Sequence, residues 1–131
     1  MDLMISRALL NEMRKAAAAS PDIEICGLLL GQGGTVEALL PCANVAAVPQ
    51  DSFEIDPVAL IAAYRAARAG GPSVIGHYHS HPRGAAIPSA RDAEAAEQGS
   101  RWIIIAGDEL RGWFAAAAGR FVPMAIVAPA T

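Results

Sequence analysis

The stretch from His77 to Asp92 reads His-Tyr-His-Ser-His-Pro-Arg-Gly-Ala-Ala-Ile-Pro-Ser-Ala-Arg-Asp, and it contains all three histidines of the chain. Two β-branched residues precede it and favour a strand, whereas Pro82 cannot donate to a sheet ladder and predicts the end of that strand. Because side chains alternate along a strand, His79 and His81 point to one face, with Cα atoms about 6.6 Å apart. The two imidazoles are therefore predicted to converge on one metal ion.

A third candidate ligand is Asp92, which lies near the start of a predicted helix. Two neutral imidazoles and one carboxylate, with a fourth position open, form the ligand set of a catalytic zinc site. Ser89-Ala-Arg-Asp92 also fits a capping box, in which the acid reaches back to the cap backbone. Both roles can coexist, because a carboxylate has two oxygens. Ser89 is either the helix N-cap or a donor that stabilises an oxyanion, and the spacing leaves both roles open.

The remaining histidine, His77, does not fit the same ligand set. It would lie about 13 Å from His81 along a regular strand, whereas zinc–nitrogen bonds are about 2.1 Å long. We therefore predict that His77 is a packed or supporting histidine.

Glu24 is the other acid that the pattern singles out. It lies in a predicted strand, residues 23–30, whose other side chains are nearly all apolar. A carboxylate in such surroundings is costly unless it is paired or has a function. Since Pro21 and Asp22 come just before it, Glu24 is equally explained as a solvated residue at the start of the strand.

Length and composition limit the class of protein. The 131 residues, of which 53% are hydrophobic, predict one globular domain over residues 1–131. The net charge of −3 and the pI of about 5.5, without a basic stripe, argue against nucleic acid as a partner. No apolar run reaches the roughly 18 residues of a membrane span, and the first residues lack signal-peptide features. These observations predict a cytoplasmic protein that does not bind membranes.

The two cysteines do not predict a disulfide framework. If Gly33 and Gly34 form a two-residue hairpin turn, Cys42 lies opposite Ile25 and not opposite Cys26. The two thiols would then face opposite sides of the sheet and could not form a disulfide.

Periodicity and turn residues predict a mixed α/β domain in which three late strands form a largely antiparallel edge. Asp56 is expected to cap the second helix, with Pro57 at its first position. The last two strands are expected to join at a turn, Ala118-Gly119. The predicted helices begin near residues 5, 57 and 89, and the predicted strands are 23–30, 35–40, 53–55, the histidine strand, 102–106, 112–117 and 121–128.

Taken together, Glu24 before Cys-Gly-Leu-Leu-Leu-Gly, His79-Ser-His81-Pro, and Ser89-Ala-Arg-Asp92 resemble the motifs of the JAMM (MPN+) metalloproteases. The resemblance implies an MPN-like, cytidine-deaminase-like fold, a largely antiparallel sheet flanked by three helices. It also implies that His79, His81 and Asp92 bind Zn²⁺, that Glu24 is the general acid/base for a zinc-activated water, and that Ser89 steadies the oxyanion.

The resemblance further implies hydrolysis of a peptide or isopeptide bond at the C-terminal tail of a ubiquitin-like, sulfur-carrier-like protein. Two features depart from the family. His77 stands where an apolar or aromatic residue is more usual, and the loop 41–52 is short. One alternative is a non-catalytic MPN scaffold that binds a ubiquitin-like partner, and another is a DNA-repair-type relative, which the acidic pI disfavours. The alanine-rich first and second helices could also form a homodimer face.

Overall fold

A curved sheet carries the candidate site. The structure is a computed structural model, and it describes residues 1–117 and 119–129 of the chain. Its strands follow the spatial order β1-β3-β2-β4-β5-β6-β7 and close into a barrel. Ala118, from the turn expected before the last strand, lies outside the described residues. The elements are β1 (Asp2–Met4), α1 (Arg7–Ala18), β2 (Cys26–Gln32), β3 (Thr35–Cys42), α2 (Pro57–Arg68), β4 (Ser73–Ser80), α3 (Ala90–Ala95), β5 (Arg101–Ala106), β6 (Glu109–Ala117) and β7 (Arg120–Val127).

The closure of the sheet corrects the expectation of an open edge. Strand β1 was not predicted, because a segment of three residues is too short to display a period. It pairs in parallel with β7, where Leu3 is opposite Ile126, and with β3, where Met4 is opposite Thr35. The late strands are antiparallel as expected, whereas β4 and β5 run parallel. The fold class is therefore α/β with three described helices around a sheet, and the sheet is closed.

Helix α1 packs its apolar side on the core. Ser6 is its N-cap, and the Ser6 hydroxyl accepts a hydrogen bond from the Leu9 amide at 3.2 Å. Leu10 and Met13 are the buried residues of this helix. They join a core that also contains Leu3, Ile5, Leu29, Val36, Ile75, Tyr78, Ile103, Ile105 and Met124.

Helix α2 starts as predicted, with Asp56 accepting a hydrogen bond from the Val58 amide and proline in the first turn. The strand expected at 53–55 is reduced to one isolated bridge between Asn44 and Ile55. None of the helices in the described ranges is long and apolar enough to cross a membrane.

The β2–β3 hairpin corrects the prediction for the cysteines. The turn pairing is right, since Gln32 is opposite Thr35, but the register shifts by one between Leu30 and Gly31. Gly31 makes room for this bulge, because a Cβ there would lie 1.9 Å from the Thr35 carbonyl oxygen. Cys26 therefore lies opposite Cys42, and both thiols are free.

Strands β4 and β5 approach each other closely at Gly76. This glycine lies opposite Arg101, and a Cβ at position 76 would come within 1.6 Å of the Arg101 carbonyl oxygen. Only glycine fits here. The contact places the histidine-bearing half of β4 against β5, where His77 is opposite Trp102 and His79 is opposite Ile104.

Candidate metal centre and catalytic site

Three predicted ligands, His79, His81 and Asp92, meet at the end of β4 and the start of α3. The two Nε2 atoms are 3.0 Å apart, and Asp92 Oδ2 lies 3.2 Å from His79 Nε2 and 3.1 Å from His81 Nε2. The site is enclosed, since His79 is fully buried and Asp92 is 4% exposed. Two elements separated by a loop thus bring three donor atoms to one point.

These distances fit a tetrahedral metal. Donor atoms bonded to zinc at about 2.0 to 2.1 Å lie about 3.3 Å from one another, which is close to the observed 3.0 to 3.2 Å. The donor set of two imidazoles and one carboxylate is also the one that zinc takes in sites with an open position. His79, His81 and Asp92 are therefore the residues that could hold such an ion.

The tautomer of His81 is fixed by the loop that follows β4. Its Nδ1 lies 2.8 Å from the carbonyl oxygen of Ala85, and a carbonyl can only accept, so Nδ1 carries the proton. In the neutral ring this leaves the Nε2 lone pair free to bind a metal. The loop itself is anchored from β6, where the Trp113 indole donates to the Ala86 carbonyl oxygen at 3.0 Å.

Asp92 forms the predicted capping box and also faces the two imidazoles. The Ser89 amide donates to Asp92 Oδ2 at 2.8 Å, and the Asp92 amide donates to Ser89 Oγ at 3.1 Å, so the capping box is complete. The oxygen that caps the helix is the one that faces the two imidazoles. Ser89 is therefore the N-cap, and because its hydroxyl accepts in this contact, its proton is still available for donation.

Burial and charge set the protonation of the cluster. Burial raises the pKa of Asp92, but hydrogen bonds from His79, His81 and the Ser89 backbone outweigh it and hold that pKa well below its usual range. Burial lowers the pKa of His79. Burial also opposes the charged form of His81, but its contacts with Asp92 and the Ala85 carbonyl outweigh burial and raise its pKa. Asp92 is therefore ionised and His79 neutral near pH 7.

Glu24 lies beside this cluster. The sequence predicts it within the strand 23–30, but β2 begins only at Cys26, so Glu24 precedes the strand. A Glu24 carboxylate oxygen lies within 4.8 Å of the ring nitrogens of His79 and His81. The residue is 5% exposed, and its Oε1 has no hydrogen-bond partner within residues 1–117 and 119–129. Burial raises its pKa from 4.5 to about 7. Glu24 is thus a poorly solvated carboxylate that titrates in the range useful to a general base.

Aromatic rings pack behind the histidines. The Phe53 ring stacks on His79, with ring centroids 4.2 Å apart and 21° between the planes. His77 packs on Trp102 with centroids 4.1 Å apart. In the part of the chain that the structure describes, His77 is not among the residues that converge at the cluster, and its buried Nδ1 has no hydrogen-bond partner. Its position agrees with the prediction of a packed histidine.

Two residues that support the site were missed by sequence reasoning. Phe53 was assigned to a strand, and Asn44 lies in a loop to which no role was given. Asn44 donates to the carbonyl oxygen of Glu24 at 2.9 Å. A lone asparagine or phenylalanine in a loop carries no spacing signal, and the segment preceding α2 meets the histidines only after folding.

Sequence comparison finds relatives of this chain among known proteins. Over 91 residues the chain is 40% identical to a desampylase from Haloferax volcanii, an alignment that covers 68% of this chain and 66% of that protein. It is 35% identical to a probable TtuB-protein conjugate cleaving protease from Thermus thermophilus, covering 85% of this chain and 74% of that one. The chain thus spans just under two thirds of the length of the first of these relatives.

Solved structures show the same fold. A protein from Desulfitobacterium hafniense superposes with a TM-score of 0.81 at 27% identity, covering 98% of this chain and 94% of that one. A JAB1/MPN domain protein from Archaeoglobus fulgidus superposes with a TM-score of 0.61 at 21% identity, covering 97% of both chains. The family described as prokaryotic homologs of the JAB domain matches residues 6–118. The chain, with its JAB1/MPN fold and its cluster of two histidines and an aspartate, belongs to this family.

Proposed function

We propose that this protein is a zinc-dependent metallopeptidase that cleaves a peptide or isopeptide bond at the C-terminal tail of a ubiquitin-like protein. The observation that carries the proposal is the juxtaposition of a buried Glu24 carboxylate, whose Oε1 has no partner among the described residues, with the convergent donor atoms of His79, His81 and Asp92. A base next to a metal-ligand set is the arrangement that metal-assisted hydrolysis requires.

His79, His81 and Asp92 would hold the zinc ion. Zinc would act as a Lewis acid that lowers the pKa of a water molecule and polarises the carbonyl oxygen of the scissile bond. The protein supplies the enclosure, since these three side chains are at most slightly exposed and a dry site strengthens electrostatic interactions.

Glu24 moves the proton. Its carboxylate accepts a proton from the attacking water and later delivers it to the leaving amine. The pKa of about 7 suits both tasks, because the group is near the midpoint of its titration at neutral pH. Ser89 retains an O–H that can donate to the oxygen on which negative charge develops.

The choice of substrate class rests on the relatives. One relative is a desampylase, and another is a probable protease that cleaves TtuB-protein conjugates. This chain shares 35–40% identity with them. A ubiquitin-like protein with a C-terminal tail is therefore the substrate class to test first.

The test is incubation with ubiquitin-like carriers that end in Gly-Gly plus a short extension, followed by mass spectrometry of the products. We expect release of the extension by the zinc-loaded protein, no release after chelation, and recovery on adding zinc back. The matched control is Glu24→Gln, which should bind zinc and cleave at least 100-fold more slowly. Stoichiometric zinc with no turnover on any carrier would instead favour a non-catalytic scaffold that binds such proteins.

A further inference from the structure

Glu24 is positioned through hydrogen bonds of its backbone. Oε1 makes no hydrogen bond, so the side chain cannot be located by a side-chain contact at that oxygen. The main chain is restrained on both sides instead. The Glu24 amide donates to the Pro49 carbonyl oxygen at 2.8 Å, and the Glu24 carbonyl oxygen accepts from Asn44 Nδ2 at 2.9 Å.

Asn44 uses its whole amide group for this purpose. Besides Glu24, its Nδ2 donates to the Ser52 carbonyl oxygen at 3.0 Å. Its Oδ1 accepts from the amides of Ala46 at 3.0 Å and Glu54 at 3.1 Å. An amide side chain has two N–H donors and two acceptor lone pairs, and all four are satisfied by the backbone.

The loop that Asn44 holds also supports a metal ligand. Phe53 lies between the two loop residues, Ser52 and Glu54, that Asn44 contacts, and its ring stacks on His79. One amide therefore fixes the backbone of Glu24 and the aromatic ring that packs against His79.

The opposite side of the Glu24 segment is tied to the histidine strand. The Ile25 amide donates to Ser80 Oγ at 2.9 Å, and the Ser80 amide donates to the Ile25 carbonyl oxygen at 3.0 Å. Ser80 lies between the two histidine ligands in the chain. The peptide units around Glu24 are thus held by hydrogen bonds to β4 on one side and to Asn44 on the other.

From these contacts we propose that Asn44 is a positioning residue that sets the distance between the Glu24 carboxylate and the His79–His81 pair. The role rests on the proposed hydrolysis. Asn44 acts through Glu24 and Phe53, and so its loss lowers the rate of the chemical step while substrate binding and metal binding persist. A displacement of a reacting group by about 1 Å can lower a rate by about 100-fold.

The kinetic test compares two variants at this position. Asn44→Asp keeps the acceptor for Ala46 and Glu54 but removes the donors to Glu24 and Ser52. Asn44→Ala removes the acceptor and both donors. We expect both to retain stoichiometric zinc and a KM within about 2-fold of wild type, with kcat lowered about 10- to 100-fold. Ser52→Ala is the control within the loop, because its hydroxyl contacts only the Val48 carbonyl oxygen. Asn11→Asp is the control for added charge.

A second measurement does not depend on turnover. The Glu24 amide donates to the Pro49 carbonyl oxygen, and the Asn44 donor restrains the same residue at its carbonyl. Loss of that donor should loosen the segment, so amide hydrogen exchange of the metal-free protein should be about 10-fold faster at Glu24 in both Asn44 variants. Exchange at the amides of Ala46 and Glu54 should be faster only in Asn44→Ala. Glu24 exchange within 2-fold of wild type in both variants would overturn the proposal, as would a rise in KM with kcat unchanged. If the wild-type protein cleaves no carrier, the proposed hydrolysis fails, while the exchange result still decides the role of Asn44.

Discussion

His81 Nδ1 and the carbonyl oxygen of Ala85 lie 2.8 Å apart, and this contact directs the other ring nitrogen of His81 towards the candidate metal position. The tautomer is therefore set before any ion binds, which reduces the cost of forming the site. The loop that supplies the carbonyl is held by the Trp113 indole on β6. A long-range contact thus supports the loop whose carbonyl sets the tautomer of His81.

Zinc binding should weaken in acid. The pKa of His81 lies above its ordinary value of 6.5 because the contacts with Asp92 and Ala85 outweigh its burial. A protonated imidazole cannot bind a metal, so the affinity should fall about tenfold per pH unit once the pH is below that pKa. Competition against a chromophoric chelator between pH 5 and pH 8 measures this slope, and a flat profile would contradict the assignment of His81 as a ligand.

His77 should be dispensable for the metal. We expect His77→Phe to retain one zinc per chain, because His77 packs on Trp102 and lies outside the cluster. The substitution also removes a buried nitrogen without a partner, so the free energy of unfolding should stay equal or rise. Metal analysis and chemical denaturation test both points, with His79→Gln as the matched variant that loses zinc.

Glu24→Gln should stabilise the metal-free protein in alkaline but not in acidic solution. The pKa of Glu24 in the folded protein is about 7, against 4.5 ordinarily. Between these values the folded state binds more protons than the unfolded chain, and therefore the free energy of unfolding falls as the pH rises through this range.

Glutamine has no charge to bury, so at pH 8 the variant should be more stable than wild type by about 1 to 3 kcal/mol. At pH 4 the two should unfold alike. Urea denaturation of both proteins at the two pH values measures the difference. Equal stability at pH 8 would mean that Glu24 is better solvated than its 5% exposure indicates.

The two roles of Ser89 can be separated by Ser89→Gly. Glycine at an N-cap costs only a few tenths of a kcal/mol, but it has no hydroxyl to donate to an oxyanion. We expect near-wild-type stability together with a loss of about 100-fold or more in kcat. Ser89→Thr, which keeps the hydroxyl, should retain most of the activity. If Ser89→Gly cleaves as fast as wild type, Ser89 is only the N-cap of α3.

The part of the site that is local in the chain could be predicted from the sequence. His79 and His81 are two residues apart on one strand, and Ser89 and Asp92 belong to one helix turn, so periodicity alone brings each pair together. The convergence of the pairs was proposed from their ligand chemistry. The role of Glu24 needed the family resemblance, because spacing could not separate a catalytic acid from a solvated one.

What escaped prediction depends on long-range pairing or on single-residue irregularities. Strand β1 has only three residues and gains its place by pairing with β7 and β3. The bulge at Gly31 shifts one register and reverses the expected relation of Cys26 and Cys42. The contacts of Asn44 join segments that have no common pattern in the sequence.

The close approach of β4 and β5 at Gly76 also constrains where the histidines of β4 lie. A methyl group at this position would overlap the Arg101 carbonyl oxygen, so Gly76→Ala would force β4 and β5 apart. His77 and His79, the next residues along β4, would move with the displaced backbone. A residue without a side chain therefore acts as a spacer for the histidines of β4, and substitution there would damage the site from a position that touches none of its reactive atoms.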